Sequence, residues 1–257
     1  MKWLRFRAGG RERFGVLTGD KVQAHEGEMF GEKRASGEEF AVDAIEWLTP
    51  SQPSKMIGLW NNFHAAAEKN GNAIPPEPLY FIKGANSYCA HRQPVIAPRS
   101  HDGRVVYEGE LAVVIGKTAS GVSVADAPAH IFGYSCANDV TAPELLKRDE
   151  SFAQWTRDKS FDTFGVFGSV IETDFDPAGG ELVTLLNGRE RQRYAFSDMI
   201  FNPAQLVSLI SQDMTLVPGD VILCGTSLGA MPMKPGSTVE VVIEGIATLF
   251  NEYRAAA

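Results

Sequence analysis

The chain has 257 residues, 44% of them hydrophobic and 22% charged, a composition typical of a folded globular protein and not of a disordered one. Its 24 Lys and Arg and 32 Asp and Glu give a formal net charge of -8, which argues against nucleic acid as a partner. Three cysteines without CxxC spacing indicate reduced thiols. The chain shows no signal-peptide pattern and no apolar run of membrane-spanning length, so we expect a cytoplasmic protein that does not bind a membrane.

The first fifty residues have the pattern of a small β-rich unit. Short apolar stretches alternate with turn-prone, glycine-containing segments, a spacing that predicts strands joined by hairpins. The polar, proline-containing segment 51–54 then precedes an apolar run at 55–60 that predicts a buried strand. We therefore predict two domains, a small β-rich N-terminal domain over residues 1–52 and a larger domain over residues 53–257.

The rest of the chain predicts many short strands and few helices. Good helix formers fill 62–70, and Gly71 supplies a stop. The β-branched run at 105–116 predicts one long strand, and 131–137 predicts a second. Further elements are a hairpin turn at 187–188, a helix over 203–211 and proline–glycine turns at 218–219 and 235–236. This pattern predicts an α+β fold dominated by β-strands and disfavours a doubly wound sheet.

Two glutamates lie two residues apart within the first of these predicted strands. Glu108 and Glu110 are therefore expected to project from the same face, about 7 Å apart along the backbone. A solvated strand face would explain such a pair, but the neighbouring residues are apolar, and buried charges need a partner or a metal. Asp139, after the next predicted strand, is placed to supply a third carboxylate. An all-oxygen set predicts a hard divalent cation, with Mg²⁺ or Mn²⁺ ahead of Zn²⁺.

Other polar residues have two interpretations each. His64 and Glu68 share one face of the predicted helix, as a base and a carboxylate that could orient it, although an exposed structural histidine is the simpler explanation. Lys83 and Lys159 lie among apolar or aromatic residues, where they either extend to solvent from strand ends or neutralise an anionic substrate. The glycine-flanked loop 225–229 either offers backbone amides to an anion or is an ordinary turn.

Four segments in a fixed order carry a family resemblance that runs over residues 55–250. They are YEGELAVVIG at 107–116, GYSCAND at 133–139, KSFD at 159–162 and LVPGDVI at 216–222. Together they resemble the fumarylacetoacetate hydrolase family. The resemblance implies a mixed β-roll or sandwich C-terminal domain of that family's type, a helix or lid that closes over the site, and usually a homodimer.

The same resemblance implies roles for particular residues. In that family the acids at the positions of Glu108, Glu110 and Asp139 hold Mg²⁺, and Mn²⁺ or Ca²⁺ is an expected substitute. The lysine at Lys159 meets the substrate carboxylate or the metal shell, and the histidine at His64 starts the catalytic helix, with Glu68 as its partner here. The positions that commonly line the substrate pocket are Lys83, Gln192 and Thr226.

Two positions depart from the family pattern. The family usually has its glutamate three residues after the histidine, where this chain has Ala67, and Glu68 follows at four. Both spacings reach the same helix face, but the change alters how a hydrolytic water would be oriented. The loop that commonly reads Gly-Thr-Pro-x-Gly has Ser227 in place of the proline, so this edge of the pocket is expected to be reshaped.

We predict a metal-dependent enzyme that acts on small 2-oxo or diketo acids, with the metal as an electron sink. If His64 and Glu68 activate water, the reaction is hydrolytic carbon–carbon cleavage of an acylpyruvate or fumarylpyruvate-like acid, which is the leading prediction. If they only move a proton, the chain is an isomerase or decarboxylase of unsaturated oxo-dioates in aromatic degradation, or an oxaloacetate decarboxylase. A non-catalytic, metal-stabilised dimeric β protein is a distant third hypothesis.

Overall fold

Strands make up most of the regular structure in the computed structural model, which describes residues 1–256. In chain order the strands are β1 (Lys2–Ala8), β2 (Arg11–Thr18), β3 (Lys21–Gly27), β4 (Lys33–Ala41), β5 (Glu46–Trp47), β6 (Met56–Trp60), β7 (Leu79–Lys83), β8 (Tyr88–Cys89), β9 (Val95–Ile96), β10 (Val105–Val106), β11 (Gly109–Ile115), β12 (Ile131–Asp139), β13 (Gly165–Glu172), β14 (Glu181–Leu186), β15 (Arg189–Ala195), β16 (Val221–Leu223), β17 (Pro232–Met233), β18 (Thr238–Ile243) and β19 (Ala247–Arg254). The α-helices are α1 (His64–Asn70), α2 (Trp155–Lys159) and α3 (Pro203–Asp213). Over the described residues, none of these helices is long and apolar enough to cross a membrane.

The largest sheet places its strands in the order β4-β3-β2-β1-β13-β12-β11-β16-β6-β7. Two short strands join it from the side, β5 against β1 and β8 against β13. The N-terminal strands continue this sheet through the antiparallel pair of β1 and β13, in which Lys2 lies opposite Glu172. A domain boundary near residue 52 stays a prediction.

The central strand β11 is buried on both faces. Leu111, Val113 and Ile115 belong to one hydrophobic cluster, and Ala112 and Val114 belong to the other. A strand covered on both sides carries a continuous apolar run, which explains the unbroken apolar sequence at 111–115. The second sheet, in the order β15-β14-β18-β19-β9, contributes side chains to the first of these clusters.

The structure confirms the β-dominated α+β class and most of the predicted elements. The hairpin turn at 187–188 has φ values of 52° and 70°, as a type I′ turn requires. The single strand predicted over 105–116 is wrong, because β10 pairs with β17 while β11 pairs with β12 and β16. The chain changes partners at Tyr107 and Glu108, and the Glu108 amide donates to the Asn138 side chain at 3.0 Å. The predicted strand is therefore broken at one of the candidate acids.

Candidate active site

Three acids meet where β11 and β12 pair. Glu110 lies on β11, Asp139 is the last residue of β12, and Glu108 occupies the break before β11. The Asp139 amide donates to the Glu108 carbonyl at 2.8 Å, which holds these two residues side by side. One carboxylate oxygen from each of the three acids lies within 4.8 Å of the others. The structure thus brings together the three residues that the sequence predicts as metal ligands.

Two lysines from different elements face this acid cluster. Lys159, at the end of α2, donates from Nζ to Glu108 Oε2 at 2.8 Å, to Asp139 Oδ2 at 2.7 Å and to Thr141 Oγ1 at 2.7 Å. An ammonium group has three protons, so these contacts use all of its donors. Lys83, at the end of β7, is fully buried and donates to Asp139 Oδ1 and to the Val140 carbonyl. The sequence alternative of lysines that extend to solvent is therefore wrong for both residues.

Burial opposes ionisation of all three acids, and the neighbouring charges either add to this effect on the pKa or offset it. Burial raises the pKa of Glu110 well above its ordinary value, and the Asp139 and Glu108 carboxylates add to this rise. Burial also raises the pKa of Glu108, partly offset by Lys159. Burial opposes ionisation of Asp139 as well, but the ammonium groups of Lys159 and Lys83 together hold its pKa below the ordinary value. Glu110 is consequently the carboxylate with the least compensated charge.

A short backbone loop orients Glu110. The Gly225 amide donates to Glu110 Oε2 at 2.7 Å, and Gly225 has a φ of 87° that suits glycine. Thr226 donates from Oγ1 to the Gly109 carbonyl at 2.9 Å, while Gln192 Oε1 accepts from the Gly109 amide at 3.1 Å. A Cβ on Gly109 would collide with the Thr184 hydroxyl, so the residue between the two glutamates has no room for a side chain. The loop and β15 thus fix the geometry of the acid pair.

The donor set fits a hard divalent cation. When all are ionised, the three carboxylates and the two lysines carry one net negative charge in a buried site. All available ligand atoms are oxygens, and the clustered groups over residues 1–256 include no histidine or cysteine. Such a set suits Mg²⁺, Mn²⁺ or Ca²⁺ better than Zn²⁺. Glu108, Glu110 and Asp139 are the residues that would hold the cation.

A cavity of about 290 Å³ opens beside the acids, near the lower end of the range for small-molecule sites. Of the predicted site residues, Glu108, Lys159 and Thr226 line it, whereas Glu110, Asp139, Lys83 and Gln192 do not. Its aromatic wall consists of Trp60, Phe81 and Trp155. A larger groove of about 760 Å³ near the end of β19 has none of these acids in its wall. The smaller cavity is therefore the candidate substrate site, and contacts of Lys83 and Gln192 with substrate stay predictions.

Helix α1 borders the cavity through the face opposite to the predicted catalytic pair. Ala66 and Asn70 line the cavity, while His64 and Glu68 are exposed and point elsewhere. Residues two apart on a helix differ by about 200° in direction, so the two pairs cannot face the cavity together. In the described part of the chain, neither a hydrogen bond nor an ion pair links His64 with Glu68. The structure does not bring this pair to the acids, and its catalytic role stays a prediction.

Sequence reasoning missed one buried acid in the cavity wall. Asp158 precedes Lys159 on α2 and is 1% exposed, and neither of its carboxylate oxygens has a hydrogen-bond partner within residues 1–256. Burial raises its pKa to about 7. The charged triplet at 157–159 is typical of a solvent-facing segment, so the sequence carries no signal for this burial. Asp158 therefore adds a titratable group beside the acid cluster.

Comparison with protein families gives two matches that follow each other along the chain. Residues 55–254 match the model described as fumarylacetoacetate (FAA) hydrolase C-terminal. Residues 1–50 match a model described as Rv2993c-like, N-terminal. The first match contains every residue of the acid cluster and covers well over half of the chain. It confirms the resemblance seen in the sequence.

Individual relatives agree with the family match. The protein named oxaloacetate tautomerase YisK from Bacillus subtilis is 32% identical over 256 residues, covering 92% of this chain and 84% of its own. Oxaloacetate tautomerase FAHD1 of Arabidopsis thaliana is 38% identical over 199 residues, covering 76% of this chain and 89% of its own. The crystal structure of 5-carboxymethyl-2-hydroxymuconate delta-isomerase from Mycobacterium smegmatis has 34% identity and a TM-score of 0.92, with full coverage of both chains. These matches confirm the predicted family type of the fold.

Proposed function

This chain belongs to the fumarylacetoacetate hydrolase family, and from that membership we propose that it is a divalent-metal-dependent tautomerase of small 2-oxo acids. Members of the family are enzymes, and they include tautomerases, isomerases and hydrolases. The observation that carries the proposal is the buried acid cluster of Glu108, Glu110 and Asp139 beside a cavity of about 290 Å³.

The charges of the site suit an anionic substrate once the cluster is neutralised. When bound, a divalent cation supplies a Lewis acid that polarises the keto oxygen of a chelating 2-oxo acid. Two added positive charges turn the net charge of these five groups from -1 to +1, which favours a carboxylate ligand. We place Mg²⁺ first and Mn²⁺ or Ca²⁺ second, because all the ligand atoms are oxygens.

The residues around the cluster hold it in one arrangement. Lys159 bridges Glu108 and Asp139, so both carboxylates stay aligned while substrate enters. The Gly225 amide fixes Glu110, and the neighbouring Thr226 side chain lines the cavity. A preorganised site of this kind does not have to reorient its dipoles during the reaction, which lowers the barrier to moving charge within the substrate.

Tautomerisation fits the cavity better than hydrolysis does. Moving a proton within a 2-oxo acid needs stabilisation of negative charge on the keto oxygen, which a cation held by the acid cluster would provide. Hydrolytic carbon–carbon cleavage also needs an activated water, and His64 and Glu68 face away from the cavity. Two relatives whose printed names are oxaloacetate tautomerases support the same choice. Hydrolysis, decarboxylation, a role in aromatic degradation and a homodimer stay predictions.

The test is the decay of enol absorbance of oxaloacetate near neutral pH, with Mg²⁺ or with EDTA. We expect Mg²⁺ to accelerate the decay and EDTA to abolish the acceleration. Glu110→Gln should slow it about 100-fold, since it removes one charged ligand from the cluster. Glu26→Gln is the matched control, because Glu26 is an exposed acid paired with Arg34 on the N-terminal strands.

Two outcomes would contradict the proposal. Full activity of the wild-type protein in EDTA would show that the reaction does not need a metal. Release of pyruvate from an acylpyruvate, without acceleration of enol decay, would make the chain a hydrolase and restore the leading sequence prediction.

A further inference from the structure

Helix α1 is tied to the protein body mainly through its first residues. Asn61 adopts a left-handed φ of 58°, and its side chain donates to the Ala73 carbonyl at 3.0 Å, which closes the α1 segment on itself. The exposed residues 68–71 form the far end of the helix. The segment 61–73 therefore forms a small closed unit whose attachment lies next to Asn62.

Asn62 is the buried polar residue of this attachment, with 1% of its surface exposed. Its Nδ2 donates to the Cys224 carbonyl at 2.8 Å and to the Phe201 carbonyl at 3.1 Å. Its Oδ1 accepts from the Phe201 amide at 2.9 Å. A single side chain therefore joins the start of α1 to two separate loops of the body.

One of these loops is the loop that orients Glu110. Cys224 accepts the bond from Asn62, and the next residue, Gly225, donates its amide to Glu110 Oε2 at 2.7 Å. A Cβ on Gly225 would lie 3.2 Å from the Asn62 Cβ, so the two residues are also in close packing contact. Only one peptide unit separates the anchor of α1 from a carboxylate of the acid cluster.

A second chain of contacts, through aromatic rings, connects the start of α1 to the same acids. Phe63, the residue before α1, is fully buried and packs edge-to-face on Tyr194, with ring centroids 4.8 Å apart. The Tyr194 hydroxyl donates to the carbonyl of Gly109, the residue between Glu108 and Glu110. Asn62 and Phe63 are therefore both connected to the acid pair, Asn62 through the Cys224–Gly225 peptide and Phe63 through Tyr194.

We propose that Asn62 is a positioning residue that couples the placement of α1 over the cavity to the orientation of Glu110. The inference rests on the proposed function only in that Glu110 binds a cation. Because coupling between two sites is reciprocal, cation binding at Glu110 restrains α1, and loosening α1 at Asn62 weakens cation binding. The partner of a metal ligand commonly changes metal affinity 10- to 100-fold when it is removed.

The experiment measures Mn²⁺ affinity by titration and amide hydrogen exchange of residues 64–70 with and without saturating Mn²⁺. In the wild-type protein we expect Mn²⁺ to slow exchange across α1. Asn62→Ala should weaken Mn²⁺ binding about 10-fold, the lower limit for a removed partner of a metal ligand, because Asn62 acts through the Cys224–Gly225 peptide. It should also abolish the slowing even at saturation. Asn62→Asp keeps the acceptor for the Phe201 amide but loses the donors to the Cys224 and Phe201 carbonyls, so it should behave like Asn62→Ala.

Asn251→Ala is the matched control for loss of stability. Asn251 is 3% exposed, and its Nδ2 also donates to two carbonyls, those of Ala90 at 2.8 Å and Gln93 at 2.7 Å. It lies on β19, outside the cavity wall. We expect Asn251→Ala to lower the melting temperature as Asn62→Ala does, but to keep the Mn²⁺ affinity and the slowing of exchange in α1.

Each outcome decides the inference. Equal effects of Asn62→Ala and Asn251→Ala on Mn²⁺ affinity and on α1 exchange would overturn it, as would normal coupling in Asn62→Asp. If Asn62→Ala does not fold, the Asn62→Asp comparison decides alone. Failure of the proposed function is a separate result, since it appears in the wild-type protein as absence of Mg²⁺-dependent enol decay while Mn²⁺ binding and its effect on α1 persist.

Discussion

The acid cluster, through Glu108, and helix α1 border the same cavity but are held in different ways. The cluster lies on buried strands, and the carboxylates of Asp139 and Glu108 are paired with lysine ammonium groups. Helix α1 has seven residues, and its exposed end makes few contacts with the body. Short helices depend on packing for their stability, and α1 buries only Ala67, so we infer that α1 is displaced more easily than the strands that carry the acids. The acid cluster is therefore a fixed charged site, whereas α1 is a part of the cavity wall that can change position.

The largest expected effect comes from removing a buried countercharge of the acid cluster. Lys83→Met leaves Asp139 with Lys159 as its remaining charged partner, and breaking a buried ion pair costs about 3–5 kcal/mol. Urea unfolding in EDTA should show this loss of stability. Lys117→Met is the control, because Lys117 is exposed and its loss should change the free energy of unfolding by less than about 0.5 kcal/mol.

A cost below about 1 kcal/mol for Lys83→Met would contradict the distinction between a fixed acid cluster and a movable α1. It would mean that Asp139 is satisfied by Lys159 alone and that the cluster is no more tightly held than α1. Addition of Mg²⁺ should recover part of the stability in the variant, because the cation replaces the missing positive charge.

The acid cluster could be predicted from the sequence because its charged residues lie among apolar ones. Glu108 and Glu110 stand out in an apolar run, and Asp139 follows the next strand, so local pattern alone indicates a charged site. The break between β10 and β11 could not be predicted, because it depends on pairing with β17, more than a hundred residues away. Strand partners are set by long-range packing that a local pattern does not record.

Two side chains owe their burial to long-range packing that the sequence does not record. Lys83 ends an ordinary strand sequence, and only the position of Asp139 on a distant strand explains its full burial. Asp158 lies in a charged triplet on a short helix, and only the packing of α2 decides which of the three charges faces inward. The direction of His64 has the same origin, since α1 presents Ala66 and Asn70 to the cavity.

A smaller expected effect tests the charge of the cavity wall through pH. Burial raises the pKa of Asp158 to about 7, so the folded protein holds a proton there that the unfolded chain has released above about pH 4. Ionising Asp158 therefore lowers stability as pH rises from about 4 to 7, by about 2–4 kcal/mol in total. Asp158→Asn removes this contribution.

The measurement is the free energy of unfolding of both proteins in EDTA at several pH values. The difference between Asp158→Asn and wild type should grow in favour of the variant as pH rises and should level off above pH 7. The other acids of the site titrate in both proteins, so they cancel in the difference. A difference that does not change with pH would show that Asp158 finds a partner in solution.

The smallest expected effect concerns α1, the movable part of the cavity wall, and tests most directly how α1 differs from the acid cluster. His64 is exposed on α1, so His64→Gln should change the free energy of unfolding by less than about 0.5 kcal/mol. Because the acid cluster is fixed independently of this side chain, enol decay of oxaloacetate should stay within about threefold of the wild-type rate, well short of the 100-fold typical of a lost acid–base group.

Any hydrolysis of an acylpyruvate should instead fall about 100-fold or more, since activation of water would require His64 to turn into the cavity. Glu68→Gln, on the same face of α1, should reproduce this split. Equal losses in both reactions would show that α1 already presents His64 to substrate in solution, and the division between a fixed cluster and a movable wall would then be wrong.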